Sequence, residues 1–203
     1  MPDLLLIRHG ENNLHRRGII AGRMSGVHLN ANGVRQAEQL ARSLRELPIT
    51  ALYSSPLERC LETAEPLSKA LELPVVPDAG LLESDVGKWQ GKSVRALALS
   101  KYWRVVQRSP SRAGHPGGES FIQTQTRIVG ALESICGQHR ARDMVACVMH
   151  SDPIKLAVAH FIGLPLDHFQ RLGCDPASVT RIAVGPSSAR LLWLNWRPPF
   201  ALS

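Results

Sequence analysis

Cysteine, lysine, aromatic residues and long apolar runs are all scarce in this chain, and each shortage removes a class of function. The four cysteines (Cys60, Cys136, Cys147 and Cys174) are scattered with no C-x-x-C pair, which argues against a zinc knuckle or a redox dithiol. A chain of 203 residues builds a core large enough to need no disulfides, so reduced, mostly buried thiols are expected. Only two tyrosines and four phenylalanines are present, too few for a base-stacking platform on single-stranded nucleic acid. Five lysines stand against 19 arginines within a net charge of +7. The arginines are dispersed, and the densest group, Arg16 and Arg17 with Arg23 nearby, is short. No nucleic-acid partner is expected, and the basic charge instead favours a small anionic ligand. The apolar run Leu4 to Ile7 stops at Arg8, His9 and Glu11, too short for an export signal or a membrane span. No membrane partner and a cytoplasmic location are therefore expected. Without a repeat or linker, residues 1–203 read as a single domain.

Strands alternate with helical patterns. Asp3 to Ile7 reads as a buried strand that ends in the polar group Arg8-His9-Gly10-Glu11. Asn30 is placed to cap a helix whose apolar stripe is Val34, Ala37, Leu40, Ala41 and Leu44, ended by Pro48. Ile49 to Tyr53 is the next strand. Ser55-Pro56-Leu57-Glu58 predicts a helix start with Ser55 as N-cap, Pro56 at N1 and Glu58 at N3, running to Leu71. Val75 and Val76 form a short strand, and a Gly/Trp-containing loop covers residues 80–91. One helix is expected over 93–103, a long Pro/Gly/Ser loop over 108–118, and another helix from Ser120. Asp143 to Met149 is a strand, followed by His150-Ser151-Asp152-Pro153 and a helix to Phe161. Thr180–Val184 and Leu191–Trp196 predict a hairpin around residues 185–188. The alternation argues for an α/β fold: a three-layer α/β/α sandwich around a mostly parallel central sheet.

Open α/β sheets place ligands outside the carboxyl ends of their strands. His9 follows the first strand and His150 a later one, so the two meet in one crevice if those strands are neighbours. Arg59, in the first turn of the helix after the second strand, lies near the same edge. Two histidines, two arginines and a helix N-terminus make an anion site with forked guanidinium donors. A histidine there attacks phosphorus when cations hold the phosphate and a carboxylic acid protonates the leaving oxygen.

These residues resemble the histidine phosphatases, the phosphoglycerate-mutase-like superfamily. The likeness is carried by Leu6-Ile7-Arg8-His9-Gly10-Glu11, by Leu29-Asn30-Ala31-Asn32-Gly33, and by Ser54-Ser55-Pro56-Leu57-Glu58-Arg59-Cys60-Leu61-Glu62-Thr63-Ala64. It continues through Leu82-Glu83 with Gly87-Lys88-Trp89-Gln90-Gly91, Pro116-Gly117-Gly118-Glu119-Ser120, and Val148-Met149-His150-Ser151. The resemblance implies a phosphoglycerate-mutase-like fold, with His9 as nucleophile forming a phosphohistidine. It implies phosphoryl clamps at Arg8, Arg59 and His150, and Glu83 as general acid and then base. No metal and no nucleotide cofactor is implied, because the arginines and second histidine supply the positive charge. His150 is expected to act charged or as an Nε donor, since a neutral acceptor nitrogen would repel phosphate.

The implied function is hydrolysis of a small phosphorylated metabolite. The alternatives are a phosphomutase and a non-enzymatic phospholigand-binding protein on the same fold. Glycolytic mutases of this family carry Arg directly after the acid and Tyr two residues later, where this chain has Ser84 and Val86. They also carry an Arg-Arg pair in a longer insertion; the corresponding region here has no adjacent pair, only the separated Arg108 and Arg112, so hydrolysis is preferred. The chain departs from the common phosphatase pattern at His15, where Asn is usual, and at Ser151-Asp152, where Gly-Asn or Gly-Gly is usual. His15 is expected to be largely charged near pH 6 and to favour a bound dianion. Asp152 is expected to oppose phosphate unless it orients His150 or accepts from a substrate hydroxyl. His15, Arg23, Ser151 and Asp152 are the candidate substrate contacts, and Trp89 reads as a core or loop anchor. A homodimer is left open as an assembly.

Overall fold

A computed structural model describes residues 2–185 and 188–198. Six strands form one sheet: β1 (Asp3–Arg8), β2 (Ile49–Ser54), β3 (Val75–Pro77), β4 (Met144–Met149), β5 (Val179–Val184) and β6 (Ala189–Trp196). Their order is β3-β2-β4-β1-β5-β6. The first four are mutually parallel, and β5 and β6 run antiparallel at one side. The helices are α1 (Asn13–Arg16), α2 (Ala31–Leu44), α3 (Glu58–Leu71), α4 (Val94–Leu97), α5 (Lys101–Arg108), α6 (Phe121–Gly137) and α7 (Ser151–Phe161). This is the expected α/β sandwich.

Both faces of the sheet are buried, which is why β1 and β4 read as unbroken apolar runs. Leu4 and Leu6 of β1, with Val145, Cys147 and Met149 of β4, pack against Ile128, Leu132 and Ile135 of α6 and Ile154, Ala157 and Val158 of α7. Leu5 and Ile7, with Met144, Ala146 and Val148, face Leu40, Ala41 and Leu44 of α2 and Cys60, Ala64 and Leu67 of α3. The two-residue alternation thus splits one apolar run between two helical layers. A third cluster, with Trp89, Val106, Phe121 and Phe169, sits above the strand ends.

Helix starts follow local chemistry. The Asn30 side chain accepts from Gly33 N, as expected of an N-cap. Ser120 and Gln123 form a complete capping box at α6. Three expectations need correction. Ser55 is not the cap of α3: the chain stays extended through Leu57, which is the N-cap and has no side-chain hydrogen bond. The Ser55 hydroxyl lies instead 2.9 Å from His150 Nε2. Val34, placed on the inward stripe of α2, is 46% exposed. Gly33 faces inward instead, so close to the chain at Glu11 that a Cβ there would meet the Glu11 carbonyl oxygen at 2.1 Å. Position 34 is then turned about 100° outward. The helix expected over 93–103 is two helices, because Ser100 caps α5 by accepting from Trp103 N at 3.0 Å. α5 continues to Arg108, shortening the expected loop. The hairpin β5–β6 forms as expected, while Pro186 and Ser187 of its turn lie outside the described residues.

Candidate active site

Parallel pairing of β1 with β4 in the register Arg8↔Met149 brings the two strand ends side by side. His9 N donates to the Met149 carbonyl at 3.0 Å. The His9 and His150 rings meet edge-on with centroids 5.3 Å apart. The crevice anticipated from two separated motifs therefore exists, at the carboxyl end of a parallel pair.

His9 Nδ1 lies 2.7 Å from the Gly10 carbonyl oxygen. A carbonyl only accepts, so Nδ1 carries the proton and Nε2 keeps a free lone pair. Burial, then the charges of Arg59 and Arg8, hold the His9 pKa well below the usual histidine value. The ring is neutral at neutral pH, the form a nucleophile needs. Its loop is held by Gly10 N donating to Thr63 Oγ1 at 3.0 Å, while Thr63 Oγ1 donates to the Arg59 carbonyl at 2.7 Å.

Arg59 is fully buried in the first turn of α3. Its Nη2 donates to the Gly22 carbonyl at 2.7 Å and lies 3.2 Å from His150 Nδ1. Its Nε and Nη1 are buried donors without a protein partner, as is Nε of Arg8. Arg8 Nη1 donates to the Cys174 carbonyl at 2.6 Å. Orphaned guanidinium donors beside a neutral histidine suit an oxyanion. His150 is oriented differently from the expected Nε donor. Its Nε2 is spent on Ser55, and Nδ1 is the nitrogen turned toward Arg59 and toward Glu83 Oε2 at 4.0 Å. Burial, then Arg59, lowers the His150 pKa well below the usual value, so the ring is neutral in this state. Arg59 then donates to Nδ1 and Nε2 donates to Ser55. The Ser55 hydroxyl donates as readily as it accepts, so it also supports the tautomer protonated at Nδ1.

Glu83 faces the same cavity. Burial first, and the charge of Asp152 second, push its pKa up to about 7. A carboxyl poised there gives and takes a proton at neutral pH. The loop bearing it hangs on two arginines, one of them absent from the sequence reading and the other, Arg23, expected there as a substrate contact. Arg127 of α6 donates from Nη1 to the carbonyls of Gly80 and Leu82, both at 2.9 Å, and Arg23 Nε donates to the Glu83 carbonyl at 2.8 Å. Glu119 ties both arginines together, accepting from Arg127 Nε and Nη2 at 2.9 Å each and lying 3.0 Å from Arg23 Nη2. Burial opposes its ionisation, but the Arg127 and Asp85 N–H bonds and both guanidinium charges outweigh this and carry its pKa down to about 2. Glu119 is a fixed anion and not a proton donor. The available signals for Arg127 were an arginine beside the inward stripe of α6 and a carboxylate directly after Gly117-Gly118.

The other candidates divide. Arg8, His9, His15, Arg59, Glu83, Ser151 and Asp152 all line one cavity of about 280 Å³, together with Trp89, whose buried ring also packs on Trp103 and His115. Two are not on that wall: Arg23, because its guanidinium is held by Glu83 and Glu119, and His150, whose fully buried ring stands behind it against Arg59 and Ser55. The His15 side chain is exposed at the rim of the cavity, and partial desolvation followed by the charge of Arg8 lowers its pKa, so it is less charged near pH 6 than the sequence suggested. Asp152 does not orient His150. It pairs with Lys155 at 2.9 Å on the first turn of α7, and that pairing outweighs burial to keep it ionised. Among the described residues, no group of three or more His, Cys, Asp or Glu side chains is arranged to hold a metal ion, and no helix is long and apolar enough to cross a membrane.

The arrangement offers an unprotonated nitrogen, a cluster of cationic donors and a poised carboxyl around one cavity. Comparison with known proteins points the same way. The description "Histidine phosphatase superfamily (branch 1)" matches residues 4–197. The sequence is 31% identical over 198 residues to phosphoserine phosphatase 1 of Hydrogenobacter thermophilus, covering 96% of this chain and 92% of that one. It is 30% identical over 192 residues to a 2,3-bisphosphoglycerate-dependent phosphoglycerate mutase of Thermoplasma acidophilum, covering 91% and 88%. A mycobacterial glucosyl-3-phosphoglycerate phosphatase, solved with VO3, superposes with a TM-score of 0.87 at 26% identity, covering 96% of this chain and 99% of that one.

Proposed function

The chain belongs to the histidine phosphatase superfamily, and from that premise we propose that it is a phosphomonoesterase acting on a small phosphorylated metabolite through a phosphohistidine. His9 Nε2 attacks phosphorus in line with the ester oxygen. The P–N bond forms as the P–O bond breaks, and the Glu83 carboxyl gives its proton to the departing alkoxide. Arg8, Arg59 and the Nδ1 side of His150 hold the equatorial oxygens. Water then attacks the phosphohistidine, Glu83 takes its proton, and inorganic phosphate leaves with His9 restored.

The observation that carries this reading is the 2.7 Å bond from His9 Nδ1 to the Gly10 carbonyl, which leaves Nε2 bare. Hydrolysis is favoured over transfer by the residues after the acid. Ser84 is fully buried, and Val86 presents an apolar side chain to the cavity, so neither grips a second anionic group of a retained substrate.

Rapid-quench mixing with p-nitrophenyl phosphate tests the reading. An acid-labile, base-stable adduct on His9 is expected, absent in His9→Ala. An adduct elsewhere, or phosphoryl transfer to 3-phosphoglycerate faster than phosphate release, overturns it. Glu83→Gln should lower kcat for alkyl phosphates by about a hundredfold or more, and far less for p-nitrophenyl phosphate, whose leaving group needs little protonation.

A further inference from the structure

Beyond Arg8 and Arg59, the two arginines that meet the phosphoryl group, no lysine or arginine among the described residues lines the cavity. The neighbouring cations are engaged behind the wall: Arg23 and Arg127 share the single carboxylate of Glu119, and Lys155 pairs with Asp152. His15 is held toward its neutral form by partial desolvation and by Arg8. Two acidic side chains, Glu83 and Asp152, share the wall. The remainder is largely apolar, with Ile19, Ile20, Val86, Val94, Trp103 and Val106 contributed by the loop after α1, the acid loop, α4 and α5. Buried apolar walls reward apolar ligand surface. A ligand carboxylate placed among them pays for lost hydration with no cation in return.

We propose that this site selects phosphomonoesters whose alcohol half is uncharged and apolar, and discriminates against esters that carry a carboxylate. The inference rests on the phosphomonoesterase reading and narrows its substrate class. The phosphoryl group takes the charged floor of the cavity. The alcohol half lies along the wall from Val86 to Val106, where its methylene or aryl surface replaces water.

The experiment uses the intact chain and matched primary esters: methyl, ethyl, propyl and butyl phosphate, glycerol 3-phosphate and 3-phosphoglycerate. p-Nitrophenyl phosphate reports turnover itself. The kcat/KM should rise about two- to fourfold per added methylene. 3-Phosphoglycerate should fall at least about tenfold below glycerol 3-phosphate, which differs from it chiefly by the carboxylate. Gln107 is exposed on α5 and lines the cavity mouth, so Gln107→Lys tests the missing cation without disturbing the core. It should lift 3-phosphoglycerate relative to glycerol 3-phosphate by about fivefold or more. A flat chain-length series, a carboxylate ester turned over as well as its neutral partner, or an unchanged ratio in Gln107→Lys overturns the inference while p-nitrophenyl phosphate is still hydrolysed. If p-nitrophenyl phosphate itself is inert, the phosphomonoesterase reading falls, and this one with it.

Discussion

Arg127 and Glu119 meet in a two-point ion pair, 2.9 Å at each contact, that stands behind the acid loop and not on the cavity wall. The same guanidinium donates to the carbonyls of Gly80 and Leu82 and lies 3.3 Å from that of Glu83. One planar fork therefore fixes both the carboxylate that anchors it and the peptide that carries Glu83.

Arg127→Lys keeps the charge and loses the fork. It should reduce kcat for alkyl phosphates about tenfold through misplacement of Glu83, with a smaller loss for p-nitrophenyl phosphate. It should also destabilise the protein by about 2 kcal/mol, since the partly buried Glu119 loses its two-point partner. Steady-state kinetics on both esters, beside urea unfolding, check this. An equal kinetic loss on both would show a general disturbance of the site.

Asp152 raises the proton affinity of Glu83. The step that needs protonated Glu83 is lost as pH rises through about 7. Asp152→Asn removes the raising charge, so the alkaline limb of kcat/KM for an alkyl phosphate should move to lower pH. A limb that stays in place would mean that Asp152 is insulated from Glu83 by Lys155.

Stability should show the same group from the other side. The folded chain holds the Glu83 proton up to about 7, above the ordinary carboxyl value of 4.5, so between those values the native state binds more protons than the unfolded one. Stability falls as pH rises through that window, and the cost is complete above it. Glu83→Gln removes the buried charge. It should gain about 3 kcal/mol at pH 8 and almost nothing at pH 4, read from unfolding curves at the two pH values.

Ser55→Ala removes the hydroxyl that accommodates either tautomer of His150. Inorganic phosphate should then inhibit about fivefold less well, the equivalent of one hydrogen bond of about 1 kcal/mol. Competition assays against p-nitrophenyl phosphate measure this, and an unchanged inhibition constant would remove Ser55 from the anion site.

Much of this site was legible because its parts are written on strands. Leu4 to Ile7 and Val145 to Met149 are apolar at every position, which marks strands buried on both faces, and polar residues at their ends had to share an edge once the strands paired. Arg59 was legible for the same reason, at the start of the helix after β2. Ser55 misled because a Ser-Pro-x-Glu sequence satisfies a helix cap locally, whereas the hydroxyl is drawn 95 residues away to His150. Arg23 misled because proximity in sequence to an anion loop does not say which carbonyl an arginine reaches. Arg127 escaped notice because its partners, Glu83 and Glu119, come together only when α6 packs beneath the acid loop. That is tertiary information with no local period.

The antiparallel strand beside β1 and the segment leading into it make the Arg8-His9 end of the chain depend on residues far downstream. Ala177 N donates to the carbonyls of Arg8 and His9, Arg8 N donates to the Ser178 carbonyl, and Arg8 Nη1 reaches the Cys174 carbonyl across 166 positions. A growing chain therefore exposes its histidine early and acquires a working anion clamp late. Until residues 174–184 have left the ribosome, Arg8 lacks the Cys174 carbonyl that holds its guanidinium and β1 lacks β5 on that side. A fragment that stops short of Cys174 carries the histidine and arginine motifs but lacks the carbonyl that holds the Arg8 guanidinium and the strand beside β1.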